Sequence, residues 1–406
     1  MKKLACLLLA LCMMLGMVSV NAEGVPASEI KIGMICIGDE NEGYTANHIN
    51  GLRFAMTNLG IDESQVIFKY NIPETEAAYE AAVDLAEQGC DIIFANSFGH
   101  ETYVFLAAEE YPEIEFCHAT GTNASSTGLT NTHNYFTAIY EARYVSGVVA
   151  GMKLNQMIEE GKITADQAKI GYVGAFPFEE VKSGYTAFFL GARSVCPSAT
   201  MEVKFTNSWG DMALEKEAAQ ALIANGCVLI SQHADTTGAP SACEELGVPC
   251  VGYNISMIAA APNNALVSSA CNWGAYCSYA LQNVINGTEF SSDWCYGYVD
   301  GAVFLTELNE GVVAPGTAEK VAEIESGLKN GTIKVFDVST FTVQPSANGA
   351  YTVDADGHLV SAFALDTDGD WAPDTHEAII DGAFAESYYR SAPYFGIDID
   401  GITMVE

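Results

Sequence analysis

Apolar runs of strand length alternate with helix-length amphipathic stretches along this chain, and the series occurs twice. The first copy comprises IKIGMICIG (30–38), QVIFKYNI (65–72), CDIIFANS (90–97) and IEFCHAT (114–120), with helical stretches at Thr45–Leu59 and Thr75–Gln88. The second comprises AKIGYVGAF (168–176), TMEVKFTNS (200–208), CVLISQHAD (227–235) and PCVGYNI (249–255), with helical stretches at Glu180–Ser194 and Met212–Asn225. Apolar runs without polar alternation mark strands buried on both faces, and the intervening helices mark parallel βαβ connections. Two copies of one α/β unit are therefore expected, with Tyr135–Pro197 carrying a helix, the passage between lobes and the opening of the second unit.

The segment before the first strand has a different logic. Met1-Lys2-Lys3, an apolar run from Leu4 to Val18 and the small residues before Glu23 follow the order of a secretory signal peptide, with cleavage expected after Ala22. The run is shorter than the roughly 20 residues that span a bilayer. Loss of Lys2 and Lys3 takes the formal charge of −35 to −37. Such acidity argues against nucleic acid or an anionic membrane as partner. Of the 12 cysteines, Cys6 and Cys12 leave with the leader. Most of the rest sit inside apolar runs, where a thiol packs as a small apolar group; if disulfides form, Cys271–Cys277 and Cys243–Cys250 are the candidate pairs. No spacing resembles a zinc site, and no metal or cofactor is expected.

Open α/β sheets bind ligands outside the carboxyl ends of their strands, so two such edges facing each other make one cleft. The residues after the strands are polar or aromatic rather than apolar: Asp39–Tyr44, Asn96–His100, Thr120–Thr122, Phe176–Glu179, Asn207–Asp211, His233–Asp235 and Tyr253-Asn254. Aromatics mixed with amides and carboxylates suit a flat heteroaromatic ring with a polar edge or a sugar. Tyr44, Phe98, Phe176, Trp209 and Trp273 are the candidate stacking groups. Asp235 and Asn254 are placed to bond a donor edge or ribose hydroxyls. Glu42 and His233 complete the expected ligand set, and His48, like His233, could touch the ligand.

Several segments are similar to the basic membrane protein family of ABC-transporter substrate-binding proteins, the Med and PnrA-like group. They are SFGHE (97–101), EFCHATGT (115–122), YEARYVSGVVAGM (140–152), IGYVGAFPFEEVKSGYTAFFLGARSVCP (170–197), DMALEKEAAQALI (211–223), ISQHADTTGAP (230–240) and VGYN (251–254). The resemblance spans residues 30–343. It implies a type I periplasmic-binding-protein fold, two Rossmann-like lobes with a ligand cleft between them. Residues 30–138 and about 262–300 would form the first lobe, 139–261 and about 301–343 the second, and 344–406 an extension packing on the body. It further implies capture of a purine nucleoside or nucleobase and its delivery to an ABC permease; with the leader, a monomer secreted or at the cell surface is expected. The sequence departs from the family where nucleoside-binding relatives have Gly-Val-Asp, here Gly252-Tyr253-Asn254, and at Asn272, where they have a lysine. A free base or an altered nucleoside pose therefore stays open. Leu9-Ala10-Leu11-Cys12 has a bulky Leu11 where a lipidation signal needs a small residue.

No Gly-x-Ser-x-Gly, His-Glu-x-x-His or phosphate-cradling glycine loop is present, so a binding protein rather than an enzyme is expected. A nucleoside-cleaving enzyme and a ligand sensor docking to a membrane receptor are the alternatives. Asp366, Asp368, Asp370, Asp374 and Glu377 have the spacing of an EF-hand loop, but Trp371 stands where that loop needs glycine. A surface turn is expected there instead of a calcium site.

Overall fold

The computed structural model describes residues 24–347, 349–365 and 373–406. The leader and most of the Asp366–Glu377 loop lie outside the described residues. The first sheet takes β1 (Ile32–Ile35), β2 (Val66–Lys69), β3 (Ile92–Ala95), β4 (Glu115–Ala119) and β5 (Thr132–Thr137). The second takes β6 (Lys169–Gly174), β7 (Thr200–Phe205), β8 (Leu229–Gln232), β9 (Cys250–Tyr253) and β10 (Ala265–Cys271). Late in the chain, β11 (Asp293–Tyr296) joins the first sheet beside β5, and β12 (Val303–Leu305) joins the second, antiparallel to β10.

The first sheet runs β11-β5-β4-β3-β1-β2, all parallel, and the second runs β12-β10-β9-β8-β6-β7 in the corresponding order. Each unit is thus doubly wound, with its first strand flanked by its second and third. This geometry opens a crevice at the carboxyl edge. The central strands are buried on both faces, as their unbroken apolar runs require.

Each unit has a fifth strand that its apolar runs did not announce. β5 is THNYFT, buried throughout despite its polar residues. Those residues are satisfied internally: His133 bonds Ser291 O at 2.9 Å and the Glu115 carboxylate at 2.8 Å, and Asn134 accepts Ala124 N–H at 2.7 Å. The expected assignment of residues from about 262 to the first lobe is corrected by β10, which is fully buried between β9 and β12 in the second sheet. The chain returns to the first sheet only after Cys271, through the helix Trp273–Asn286, which packs on the helix Gly43–Leu59.

The second unit is built around two helices, Ile139–Glu159 and Glu179–Val195, that approach backbone to backbone. A Cβ on Gly147 would lie 2.0 Å from Phe188 O, and one on Gly191 would lie 2.0 Å from Tyr144 O. Only glycine permits that spacing.

The extension adds two small sheets, β13 (Tyr351–Val353) with β14 (Leu359–Leu365) and β15 (Pro373–Glu377), and β16 (Ile379–Ile380) with β17 (Ala383–Phe384). Its last strand, β18 (Ile402–Met404), pairs in parallel with β7 at the edge of the second sheet. The Glu377 carboxylate accepts Ala362 N–H at 3.0 Å and Ile379 N–H at 2.9 Å, a turn-closing role. All ten described cysteines are free thiols, including both candidate pairs, and nine are buried. Among the described residues no cluster suits a metal ion, and no helix is long and apolar enough to cross a membrane.

Candidate ligand-binding site

The carboxyl edges of the two sheets enclose a cavity of about 480 Å³, within the range of small-molecule sites. From the first unit, Glu42 and Tyr44 reach it from the start of the helix after β1, and Asn96, Ser97 and Phe98 from the turn after β3. Thr120 and Thr122 follow β4, and Phe136 stands on β5. From the second unit come Phe178, Glu179 and Glu180 at the helix after β6, Trp209 after β7, His233 and Asp235 after β8, and Tyr253 on β9.

The turns that present these groups are held by their own sequence. Glu42 caps the helix Gly43–Leu59: its carboxylate accepts Tyr44 N–H at 2.5 Å and Thr45 N–H at 2.9 Å. The Tyr44 hydroxyl donates to Asn96 O at 2.6 Å, and the Asn96 amide oxygen accepts Ile37 N–H at 2.9 Å, tying the turns after β1 and β3 together. Asn254 adopts a left-handed backbone, φ 64°. Its side-chain amide donates to Asp235 at 2.9 Å, fixing that carboxylate at the cavity wall.

Aromatic groups from the two units meet across the cavity. Phe98 lies 5.9 Å from Phe178, and Phe178 lies 6.1 Å from Trp209 between ring centroids. At Gly43 a Cβ would come within 3.0 Å of Asp235 O, so the first helix abuts the second unit. The lobes are thus apposed, as in a closed form.

The wall is acidic and poorly solvated. Burial raises the carboxyl of Glu42 above the usual range, opposed by the Thr45 and Tyr44 bonds. Burial raises Asp235 well above it, reinforced by Glu42, Glu215 and Glu180 and opposed by Arg143. His233 is pushed down by burial despite Glu180. Neutral His233 therefore donates Nε2–H to Glu180 at 2.8 Å rather than forming a charged pair. Arg143, fully buried, donates to Gln232 O at 2.6 Å and lies 3.6 Å above the Tyr253 ring.

Six of the expected ligand groups line the cavity: Glu42, Tyr44, Phe98, Trp209, His233 and Asp235. Three do not. Trp273 is wholly buried, stacked on His48 at 4.0 Å behind Tyr44, because its helix packs against Gly43–Leu59. Phe176 stands behind the wall, stacked on Phe178 at 5.3 Å and edge-on to Trp209 at 5.1 Å. Asn254 acts through Asp235. Glu180 and Arg390 line the cavity without having been expected to; Glu180 was hidden in the first turn of an amphipathic helix, and Arg390 lies in the extension, beyond any strand end.

Residues 30–337 match the model of a family described as ABC transporter substrate-binding protein, PnrA-like. The chain belongs to this family. Its members are substrate-binding components and not enzymes. A purine-binding protein of Brucella abortus is 32% identical over 310 residues, covering 76% of this chain and 83% of that protein. A candidate ABC transporter glucose-binding protein of Haloferax volcanii, TsgA13, is 33% identical over 256 residues, 63% of this chain and 61% of that one. A solute-binding protein of an Aeropyrum pernix K1 ABC transporter system superposes with a TM-score of 0.63 at 17% identity, covering 80% of this chain and 95% of that one. The fold is that of type I periplasmic solute-binding proteins. Such proteins work outside the cytoplasmic membrane.

Proposed function

We propose that this solute-binding protein captures a purine nucleoside or nucleobase between its lobes and, as a secreted or cell-surface monomer, delivers it to an ABC permease. The observation that carries the reading is the cavity wall itself. Aromatic rings from both units, Tyr44 and Phe98 on one side and Phe178 and Trp209 on the other, flank carboxyl groups at Glu42 and Asp235. Aromatic faces suit a flat heterocycle, and buried carboxyl groups suit its polar edge or ribose hydroxyls. The Brucella relative, described as purine-binding, supports the same class.

Ligand that touches both lobes stabilises the closed arrangement by its differential affinity for it. The test is calorimetric titration of ligand-stripped protein with adenosine, guanosine, inosine, adenine and hypoxanthine, with glucose as the arm suggested by the Haloferax relative. Saturable binding of at least one purine supports the reading. Binding of glucose with no purine response refutes it.

A further inference from the structure

The segment Glu386–Phe395 lies outside the family match and returns to the cavity. It is pinned to both units. Ser391 N–H donates to Asp293 Oδ2 at 2.7 Å, on β11 of the first sheet. The Tyr140 hydroxyl donates to Glu386 O at 3.2 Å, from the first helix of the second unit. The Glu386 carboxylate accepts Tyr394 N–H at 2.6 Å and Phe395 N–H at 2.8 Å, closing the segment on itself. Beyond it, Lys182 bonds Asp398 at 2.8 Å, Arg193 bonds Asp400 at 2.6 Å, and β18 extends the second sheet.

Between these anchors Arg390, Ala392 and Pro393 form part of the cavity wall. Arg390 is only 9% exposed; its Nε–H donates to Ala392 O at 3.1 Å, and its guanidinium lies 5.8 Å from the Tyr394 ring centroid. It is the one Lys or Arg among the described residues lining the cavity, set in a wall whose other charged candidates are Glu42, Glu179, Glu180 and Asp235. A guanidinium offers five N–H donors in a planar fork and no acceptor. The purine edge that complements it has two adjacent acceptors. A 6-oxopurine presents O6 and N7, whereas a 6-aminopurine replaces O6 with an amino donor.

We propose that this segment is a built third wall of the ligand site and that Arg390 on it is a specificity-determining residue selecting 6-oxopurines over 6-aminopurines. The assignment rests on the purine reading above. A matched bidentate edge discriminates by about ten-fold or more.

The test is calorimetric titration of the full mature chain, wild type, Arg390→Ala and Arg390→Lys, with inosine, guanosine and hypoxanthine against adenosine and adenine, with melting curves as a folding control. The wild type is expected to favour the 6-oxo ligands by about ten-fold or more. Both variants should lose about ten-fold for these and change less than about two-fold for the 6-amino ligands, since lysine keeps the charge but not the fork. Purine binding with the same selectivity in all three proteins, or an equal loss for both ligand series, overturns the assignment of Arg390 alone. Should the alanine variant fail to fold, the lysine variant and the wild-type order decide: a wild-type preference for adenine or adenosine overturns the assignment. Absence of purine binding by the wild type overturns the purine reading and this assignment with it.

Discussion

Glu215 supplies a measurable pH signature. It lies in the first turn of the helix Met212–Ala224, is fully buried, and accepts Thr236 N–H at 3.2 and 3.1 Å, next to Asp235. Burial, with the nearby Glu42 adding to it and the Thr236 bonds opposing, raises its carboxyl from 4.5 to about 7. The folded state therefore holds a proton that the unfolded chain has released, and stability falls as pH rises through that window. The stabilisation is complete below about pH 4.5 and lost above about pH 7. Each ten-fold gain in proton affinity is worth about 1.4 kcal/mol, so the loss across the window amounts to roughly 3 kcal/mol. His100 acts oppositely: burial holds it at about 4, so it removes stability as pH falls below its ordinary 6.5. The two slopes overlap, and the comparison must isolate one. Glu215→Gln keeps an acceptor for Thr236 N–H and removes the titration. Urea unfolding of wild type and variant at pH 4, 5, 6, 7 and 8 and constant ionic strength cancels the His100 contribution. The variant should gain roughly 3 kcal/mol on wild type between pH 4 and 8. Parallel curves would refute the buried, proton-holding Glu215.

Asp235→Ala should weaken purine binding by about ten- to a hundred-fold, the cost of one unpaired polar group in a dry cleft; unchanged affinity by calorimetry removes Asp235 from the site. Trp273→Ala should lower unfolding stability by about 3 to 5 kcal/mol, because the ring is wholly buried against His48. Its unfolding midpoint should fall while the affinity of the folded fraction changes far less than in Trp209→Ala, and equal affinity losses would contradict the placement of the two rings. Gly147→Ala puts a methyl 2.0 Å from Phe188 O and should cost about 2 kcal/mol or more by separating the paired helices; a wild-type melting temperature would refute that close approach.

Much of the fold is written in hydrophobic run length. The runs at 30–38 and 168–176 are apolar because their strands are buried on both faces, and no tertiary information is needed to see it. β5 escaped because burial there is satisfied by polar pairing, His133 with Glu115 and Asn134 with Ala124, which no periodicity rule registers. β10 was not read as a strand, and its place in the second sheet depends on where the chain crosses, which no run length records. At the site, strand-end chemistry located Glu42, Tyr44, Phe98, Trp209, His233 and Asp235 at the cavity. The same rule could not tell Trp209, at the wall, from Trp273, which also follows a strand but turns inward against a neighbouring helix. Arg390 was invisible because it reaches the cavity through the path of the extension, held by Asp293 and Glu386.

The central claim is that one flat ring is held between aromatic groups of both units. A crystal structure of the protein with the purine that binds it most tightly tests this directly. The ring should lie within about 4 Å of aromatic carbons from both units, Tyr44 or Phe98 on one side and Phe178 or Trp209 on the other, with its polar edge on Glu42, Asp235 or Arg390. A purine bound to one lobe alone, or outside the cavity, would contradict it.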